Sequence, residues 1–392
     1  MNYGDSTVLL DTTNWLNVHI KKVEFSPQII GDNYQPLGVR WARRNIDSKI
    51  SNRRSHQIIS FYDRHGVQTM LLGGWCSRRG ARLNDVYVLS DISSPFKSVR
   101  VSSEWSPRCN FRALCDVNGS HVYVVGGDDG SLKSDVWLSV DRCRSFQLQT
   151  LKAGWSDRLD SACVLVDSET LVVCGGRSSD GALCRDVWCS VDSGITWKNV
   201  NSMAPWKGRA GAGVLCINST LILVGGVGEV GAFDDVWSSS DLGVTWTLVC
   251  VKAPWKSRAF FGLIQDPVSS ELLIFGGANS DGAPLADTWA SLNMGANWIC
   301  RPPLPTEDVI SPNCIVDTNG KIVLMEATTQ RRFYESFSEL KYIKQDCRFL
   351  LLLGQRLKVP NEIWVGRILP FAVDTRQLWN RKASEWKKLN SN

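Results

Sequence analysis

The stretch DVWCSVDSGITW, Asp186 to Trp197, returns about fifty positions later as DVWSSSDLGVTW, Asp235 to Trp246. A catalytic motif present in two copies would explain this, and so would a building block of the fold. Working outward from the pair, other segments fall into the same register. A Gly-Gly pair closes an apolar run at Gly73-Gly74, Gly126-Gly127, Gly175-Gly176, Gly225-Gly226 and Gly276-Gly277, at intervals of about fifty residues. After each pair come a polar loop and then NDVYVLS, SDVWLSV, RDVWCSV, DDVWSSS or ADTWASL. A turn and an aromatic follow, at Phe96, Phe146, Trp197, Trp246 and Trp298. A Trp with an Arg three residues on then restarts the unit, in WARR, WSPR, WSDR, WKGR and WKSR.

A fixed period near fifty with several short apolar runs per unit predicts a β-propeller. Each unit reads as four strands: in RAGAGVLCINSTLILVGG, Arg209 to Gly226, two β-rich runs flank a short polar turn, as in a hairpin. The Gly-Gly pair ends the second strand, where the backbone crowds a neighbour or takes positive φ. A single four-stranded unit cannot bury both faces, so the units stack radially, with the tryptophans between them. A motif repeated at one hairpin of every unit is a device of the fold, since a catalytic group would appear once.

The apolar run ending in Gly-Gly, the aromatic strand at a set distance and the Trp after it resemble the kelch repeat, over residues 41 to 300 in five copies. SVDSGITW and SSDLGVTW also resemble the Asp-box turn, with degenerate versions in SVDRCRSF and SLNMGANW. There a short Asp accepts turn amides, Gly supplies positive φ and Trp packs beneath. Asp-boxes occur in sialidases, so a sialidase-like glycosidase is the remote enzymatic alternative. It would need three arginines converging on one carboxylate, whereas the arginines here come one per repeat.

A sixth unit begins near Pro312 with NCIVDTNGKIVLMEATTQRRFYESF, where Met325-Glu326 stands in place of the Gly pair. The N-terminal TNWLNVHI, Thr13 to Ile20, resembles a missing fourth strand. The expectation is an all-β, six-bladed kelch-type propeller over residues 1–345, its ring closed by the strand near 13–20, followed by a short helical extension over 346–392.

Charge separates the same two parts. The tail from Asp346 holds nine Lys and Arg against four Asp and Glu, which accounts for the whole net charge of +5. A neutral body argues against nucleic-acid binding, and no run is long and apolar enough to span a membrane. Thirteen scattered cysteines without a Cys-x-x-Cys pair suit a reducing compartment, cytoplasm or nucleus, and form no zinc motif. His19, His56, His65 and His121 lie in unrelated contexts, and no glycine-rich phosphate loop is present. Neither cofactor, metal nor catalytic residue is therefore expected.

The arginines that restart each unit, Arg44, Arg108, Arg158, Arg209 and Arg258, precede the innermost strands and belong near one mouth of the central channel. Two readings stand. Converging guanidiniums would grip an acidic peptide with planar forks, as the kelch resemblance implies for domains that select protein partners. Alternatively, each Arg bonds carbonyls or acids of the adjacent blade. Arg78 and Arg79, in SRRGARL, are less tied to the repeat and make further partner contacts.

In the tail, Pro360 suits a first helical turn, Ile363, Trp364, Ile368 and Leu369 give an apolar face, and Pro370 ends or kinks that helix. VPNEIWVGRILPF followed by LWNRKASEWKKL resembles an F-box, with Val where Leu is usual and Pro370 interrupting the Ile-Leu-x-Phe pattern. The resemblance implies that Pro360, Ile363, Trp364, Ile368, Leu369 and Phe371 would contact a cullin-ligase adaptor. The alternative is a helical cap on the propeller. The functional expectation is thus a non-enzymatic protein-interaction module, a ubiquitin-ligase substrate receptor in its sharper form or an assembly scaffold in its other form.

Overall fold

A computed structural model describes residues 40–45, 53–64, 66–89, 97–100, 102–266, 270–304, 313–316, 322–325 and 332–337. Every regular element among them is a strand, and the strands form a β-propeller. Blade 1 consists of Gln57–Asp63, Gly66–Cys76, Ala81–Leu89 and Lys97–Arg100; blade 2 of Arg112–Cys115, Val122–Asp128, Leu132–Ser139 and Gln147–Thr150. Blade 3 holds Ala162–Leu165, Leu171–Cys174, Val187–Ser190 and Lys198–Asn201. Blade 4 holds Gly213–Ile217, Thr220–Val224, Val236–Ser239 and Thr247–Cys250, and blade 5 Gly262–Gln265, Leu272–Phe275, Thr288–Ser291 and Ile299–Arg301. Each blade is antiparallel and runs from its first strand, innermost, outward in chain order. The first strands of successive blades lie side by side.

One further four-stranded sheet joins Asn313–Val316, Ile322–Met325 and Arg332–Phe337 to Arg40–Asn45, with Arg40 opposite Phe337 and Asn45 opposite Arg332. The fourth position in this sheet is thus held by Arg40–Asn45. The Thr13–Ile20 stretch expected there lies outside the described residues, as do the helices expected between 346 and 392.

The second strand of each blade is the most completely buried, because it has a neighbour on both edges and a blade on both faces. Leu221, Ile222, Leu223 and Val224 are all at most 1% exposed. Such a strand reads as a continuous apolar run rather than an alternating one. Where it ends, the chain must turn beside the segment entering the innermost strand. At Gly226, φ is +102° and an added Cβ would lie 3.1 Å from the Ala210 carbonyl oxygen, so only glycine fits there without strain.

The Asp-box turns have the local chemistry that their residues imply. The Ser239 hydroxyl donates to Asp241 at 2.8 Å, the Gly243 amide to Ser239 at 2.9 Å and the Thr245 hydroxyl to Asp241 at 2.6 Å. The Trp246 indole then donates to the Gly243 carbonyl at 3.0 Å, which locks the ring under the turn. In blades 2, 3 and 5 a turn amide donates in the same way to Ser139, Ser190 and Ser291. The twelve duplicated residues of the opening comparison therefore build a hairpin corner.

Between blades the tryptophans meet edge to face. Trp155 stands against Trp197 at 4.4 Å and 89°, Trp206 against Trp246 at 6.0 Å and 89°, and Trp255 against Trp298 at 5.8 Å and 90°. In blade 2 Phe146 takes the second place, at 6.1 Å and 88° from Trp105. This is the geometry that the aromatic quadrupole favours.

Candidate functional site

The Gly-Gly corners and the segments that enter the innermost strands share one face of the ring. Arg108, Arg158, Arg209 and Arg258 are placed there, but inside the protein, at most 3% exposed. Arg209 Nη1 donates to the Gly225 carbonyl at 2.8 Å and to Asp235 at 2.7 Å, Nη2 to the other Asp235 oxygen at 2.8 Å, and Nε to the Lys207 carbonyl at 3.0 Å. The Trp237 indole closes the network on Asp235 at 2.8 Å. Blades 2 and 3 repeat this with Asp135 and Trp137, and with Asp186 and Trp188; blade 5 uses Asp287 and Trp289. In these four blades the Asp-x-Trp is therefore the counterpart of the blade's own Trp-x-x-Arg. Of the two expectations for these arginines, the geometry is nearer the second: their forks are filled from within the chain, although by a carbonyl and an acid of their own blade and not of the adjacent one.

Arg44 lies in Arg40–Asn45, opposite Phe333. The equivalent in blade 1 is Arg53, which donates to the Gly73 carbonyl at 3.0 Å and forks onto Asp85 at 2.7 and 3.0 Å. Blade 1 has no Trp three residues before this arginine, so the Trp-x-x-Arg rule selected WARR instead. Distance to the Gly pair is the better signal. It is 18, 17, 16 and 18 residues in blades 2 to 5, and 20 for Arg53.

These forks set an acid limit on the fold. Burial alone would raise the Asp186 and Asp287 carboxyls, but hydrogen bonds and charge from Arg158 and Arg258, with the indoles of Trp188 and Trp289, hold both below their ordinary values. Groups depressed on folding contribute in full above their unfolded pKa, about 4, and lose that contribution as pH falls through the folded values. Urea midpoints are therefore expected to hold steady from pH 7 to about 5 and to drop below about 4. A midpoint that rises on acidification would contradict the pairing.

Three other arginines on this face are not consumed. Arg78 and Arg79 stand exposed in the turn after Gly66–Cys76, and exposed Arg54 is paired by backbone register with Trp75 at the base of that turn. Among the described residues the side chains of these three make no hydrogen bond or ion pair. Arg82 beside them is closed onto both oxygens of Asp128, at 3.0 and 2.9 Å.

Two residues beyond each repeat arginine the chain turns through positive φ: Ser55 at 52°, Asn110 at 53°, Asp160 at 55°, Gly211 at 61° and Phe260 at 54°. Sequence reasoning missed this ring because its members share a position and no residue type. Main-chain bonds link neighbours, Asn110 to Ser55 at 3.3 Å, Gly211 to Asp160 at 2.9 Å and Phe260 to Gly211 at 2.9 Å. Inside the ring opens a cavity of about 250 Å³, lined in part by Arg112, Asp160, Ala212 and Phe261. His56, also on its wall, is neutral: burial and then the Arg53 charge lower its pKa to about 3. No cluster of three His, Cys, Asp or Glu able to hold a metal occurs among the described residues, and no helix among them is long and apolar enough to cross a membrane.

Comparison with known proteins agrees with the repeat. The chain is 31% identical to the F-box/kelch-repeat protein At1g51550 of Arabidopsis thaliana over 194 residues, 45% of this chain and 39% of that one. It is also 30% identical to Tip elongation aberrant protein 1 of Schizosaccharomyces pombe over 136 residues, 33% of this chain and 12% of the other. The chain thus spans well under half the length of these two curated relatives. Kelch-repeat propellers are in general protein-interaction domains. Residues 55–264, more than half of the sequence, match the KLHDC2/KLHL20/DRC7 Kelch-repeats domain, and with its five Gly-Gly blades the chain belongs to the kelch-repeat propeller family.

Proposed function

We propose that this chain is a non-catalytic, partner-selecting propeller, which docks an acidic segment of another protein on Arg54, Arg78 and Arg79 above blade 1, beside the channel mouth. The observation that carries this reading is a contrast on one face. Every repeat arginine is closed onto an Asp of its own blade, while these three guanidiniums stand in solvent with no counter-charge among the described residues. A planar fork on a fixed corner is suited to carboxylates, and rim charges of this kind steer encounter and set specificity.

The test is selection of acidic peptides from a displayed library by the full chain. Wild type is expected to enrich Asp- and Glu-rich sequences whose binding weakens with salt. The triple variant Arg54→Glu, Arg78→Glu, Arg79→Glu should bind the selected peptides at least ~tenfold less well. Equal enrichment by both proteins would refute the assignment.

The ring in this proposal has six blades. The sheet that joins Arg40–Asn45 to the three strands between Asn313 and Phe337 supplies the sixth, since Asn313–Val316 lies beside both Gly262–Gln265 and Gln57–Asp63. A strand from before blade 1 would then close the circle and remove the open sheet edge. Eleven of the thirteen cysteines are free thiols, ten of these at least partly buried, which supports residence in the reducing cytoplasm or nucleus.

A second element of the proposal concerns the tail. The F-box resemblance of residues 359–386, together with a relative named as an F-box/kelch-repeat protein, supports adaptor recruitment by Pro360, Ile363, Trp364, Ile368, Leu369 and Phe371. The full chain is then expected to co-precipitate a cullin-ligase adaptor from cell extract, and the variant Ile368→Asp, Leu369→Asp to lose it. If neither protein recovers an adaptor, the tail is better read as a cap and the propeller as an assembly scaffold.

A further inference from the structure

Arg112 and Asp160 face one cavity from adjacent blades without pairing. Arg112 Nε donates to the Ser161 carbonyl at 2.9 Å, which ties the guanidinium to the next blade. Its terminal amino groups have no hydrogen-bond partner among the described residues. Asp160 is half-buried, with φ at 55° and its carbonyl held by the Gly211 amide at 2.9 Å, which fixes the backbone from which its side chain projects. Its carboxylate accepts no hydrogen bond among the described residues, and burial pushes its pKa up against the charges of Arg112 and Arg177. The repeat arginines are closed onto Asp carboxylates, whereas Arg112 and Asp160 form no such fork. Blade 4 contributes Gly211, Ala212, Gly213 and Val214 to the wall, none of them charged, and Phe260 and Phe261 add apolar surface.

This is a site with a donor and an acceptor, both incompletely satisfied, in a cavity of about 250 Å³. Both residues are half-buried, and an occupant that displaces water from the cavity strengthens the hydrogen bonds it makes with them. A bare anion would meet Arg112 but be repelled by Asp160, and a bare cation would meet the reverse. A carboxamide presents a carbonyl acceptor and an N–H donor in one neutral plane. We propose that the cavity receives the side chain of an Asn or Gln from the docked partner, its carbonyl on Arg112 and its amide on Asp160. The inference deepens the partner-binding reading of this face and rests on it for the source of the side chain.

Small probes test it apart from the exposed arginines. Saturation-transfer NMR on the full chain would compare N-acetyl-glutamine methylamide with its glutamate and lysine counterparts. The substitutions are ones that the fold already contains at equivalent positions: Asp160→Gly, as at Gly211, and Arg112→Ala, as at Ala162. The glutamine probe is expected to bind at least ~tenfold more tightly than either charged probe and to lose its signal in both variants. In Asp160→Gly, preference should pass to the glutamate probe, now free to pair with Arg112. A charged probe preferred by the wild type, a glutamine signal indifferent to both substitutions, or no transfer to any probe would each overturn the proposal. The glutamate probe also suits the exposed Arg54, Arg78 and Arg79, so the probe series is read in the triple variant, and acidic-peptide binding lost by that variant is still observed separately if the cavity fails.

Discussion

Replacement of Arg209 by methionine is expected to lower the free energy of unfolding by about 3 kcal/mol, the low end of the cost of opening a buried ion pair. The side chain is 1% exposed and donates four hydrogen bonds, three of them to Gly225 and Asp235. Methionine fills the aliphatic path but leaves the Gly225 carbonyl empty and the Asp235 carboxylate with the Trp237 indole as its side-chain donor. An acceptor stripped of its partner loses more than the pair contributed. The low end is chosen because Asp235 is 18% exposed and water can reach its edge. The double variant Arg209→Met, Asp235→Leu should recover much of the loss, because neither partner is then left unpaired. Urea unfolding of the three proteins against wild type gives the cycle directly. A single-variant midpoint equal to wild type would mean that the fork does not hold the corner.

Trp206→Ala carries the second large effect, about 3–5 kcal/mol from lost burial and the cavity left behind. The ring is 1% exposed and packs among residues of blades 3 and 4, including Val187, Leu221 and Trp246. It also forms the floor under the Arg209 guanidinium, 5.7 Å from the ring centroid. Its removal should therefore weaken both the blade contact and the fork above it, and its effect combined with Arg209→Met should be less than additive. Thermal unfolding measures this; a melting temperature within a degree of wild type would contradict the interlock.

The repeat was legible because its parts are chemically coupled. Gly-Gly, Asp-x-Trp and Trp-x-x-Arg recur together since the arginine bonds the first glycine's carbonyl and the Asp, while the Asp receives the indole. Sequence alone could not say whether the arginines face inward or outward, because their recurrence is equally compatible with a ring of ligands and a ring of staples. Blade 1 misled the pattern for a definite reason. Its staple, Arg53 with Asp85, lacks the preceding Trp, and Trp41-x-x-Arg44 imitates the motif inside another strand. The cavity residues were illegible on different grounds. Arg112 and Asp160 matter by lying in adjacent blades, about fifty residues apart in the chain, at positions where the neighbouring repeats carry Ala and Gly.

The central claim is that the two sets of arginines on this face do two separate jobs. The most direct measurement is a paired one, of melting temperature and of affinity for a selected acidic peptide, on two variants of the full chain. Arg158→Met should melt well below wild type yet bind the peptide normally at temperatures where it is folded. The triple variant Arg54→Glu, Arg78→Glu, Arg79→Glu should melt with wild type yet bind at least ~tenfold more weakly. Peptide affinity lost from folded Arg158→Met and retained by the triple variant would contradict the account, and would return the binding site to the buried ring.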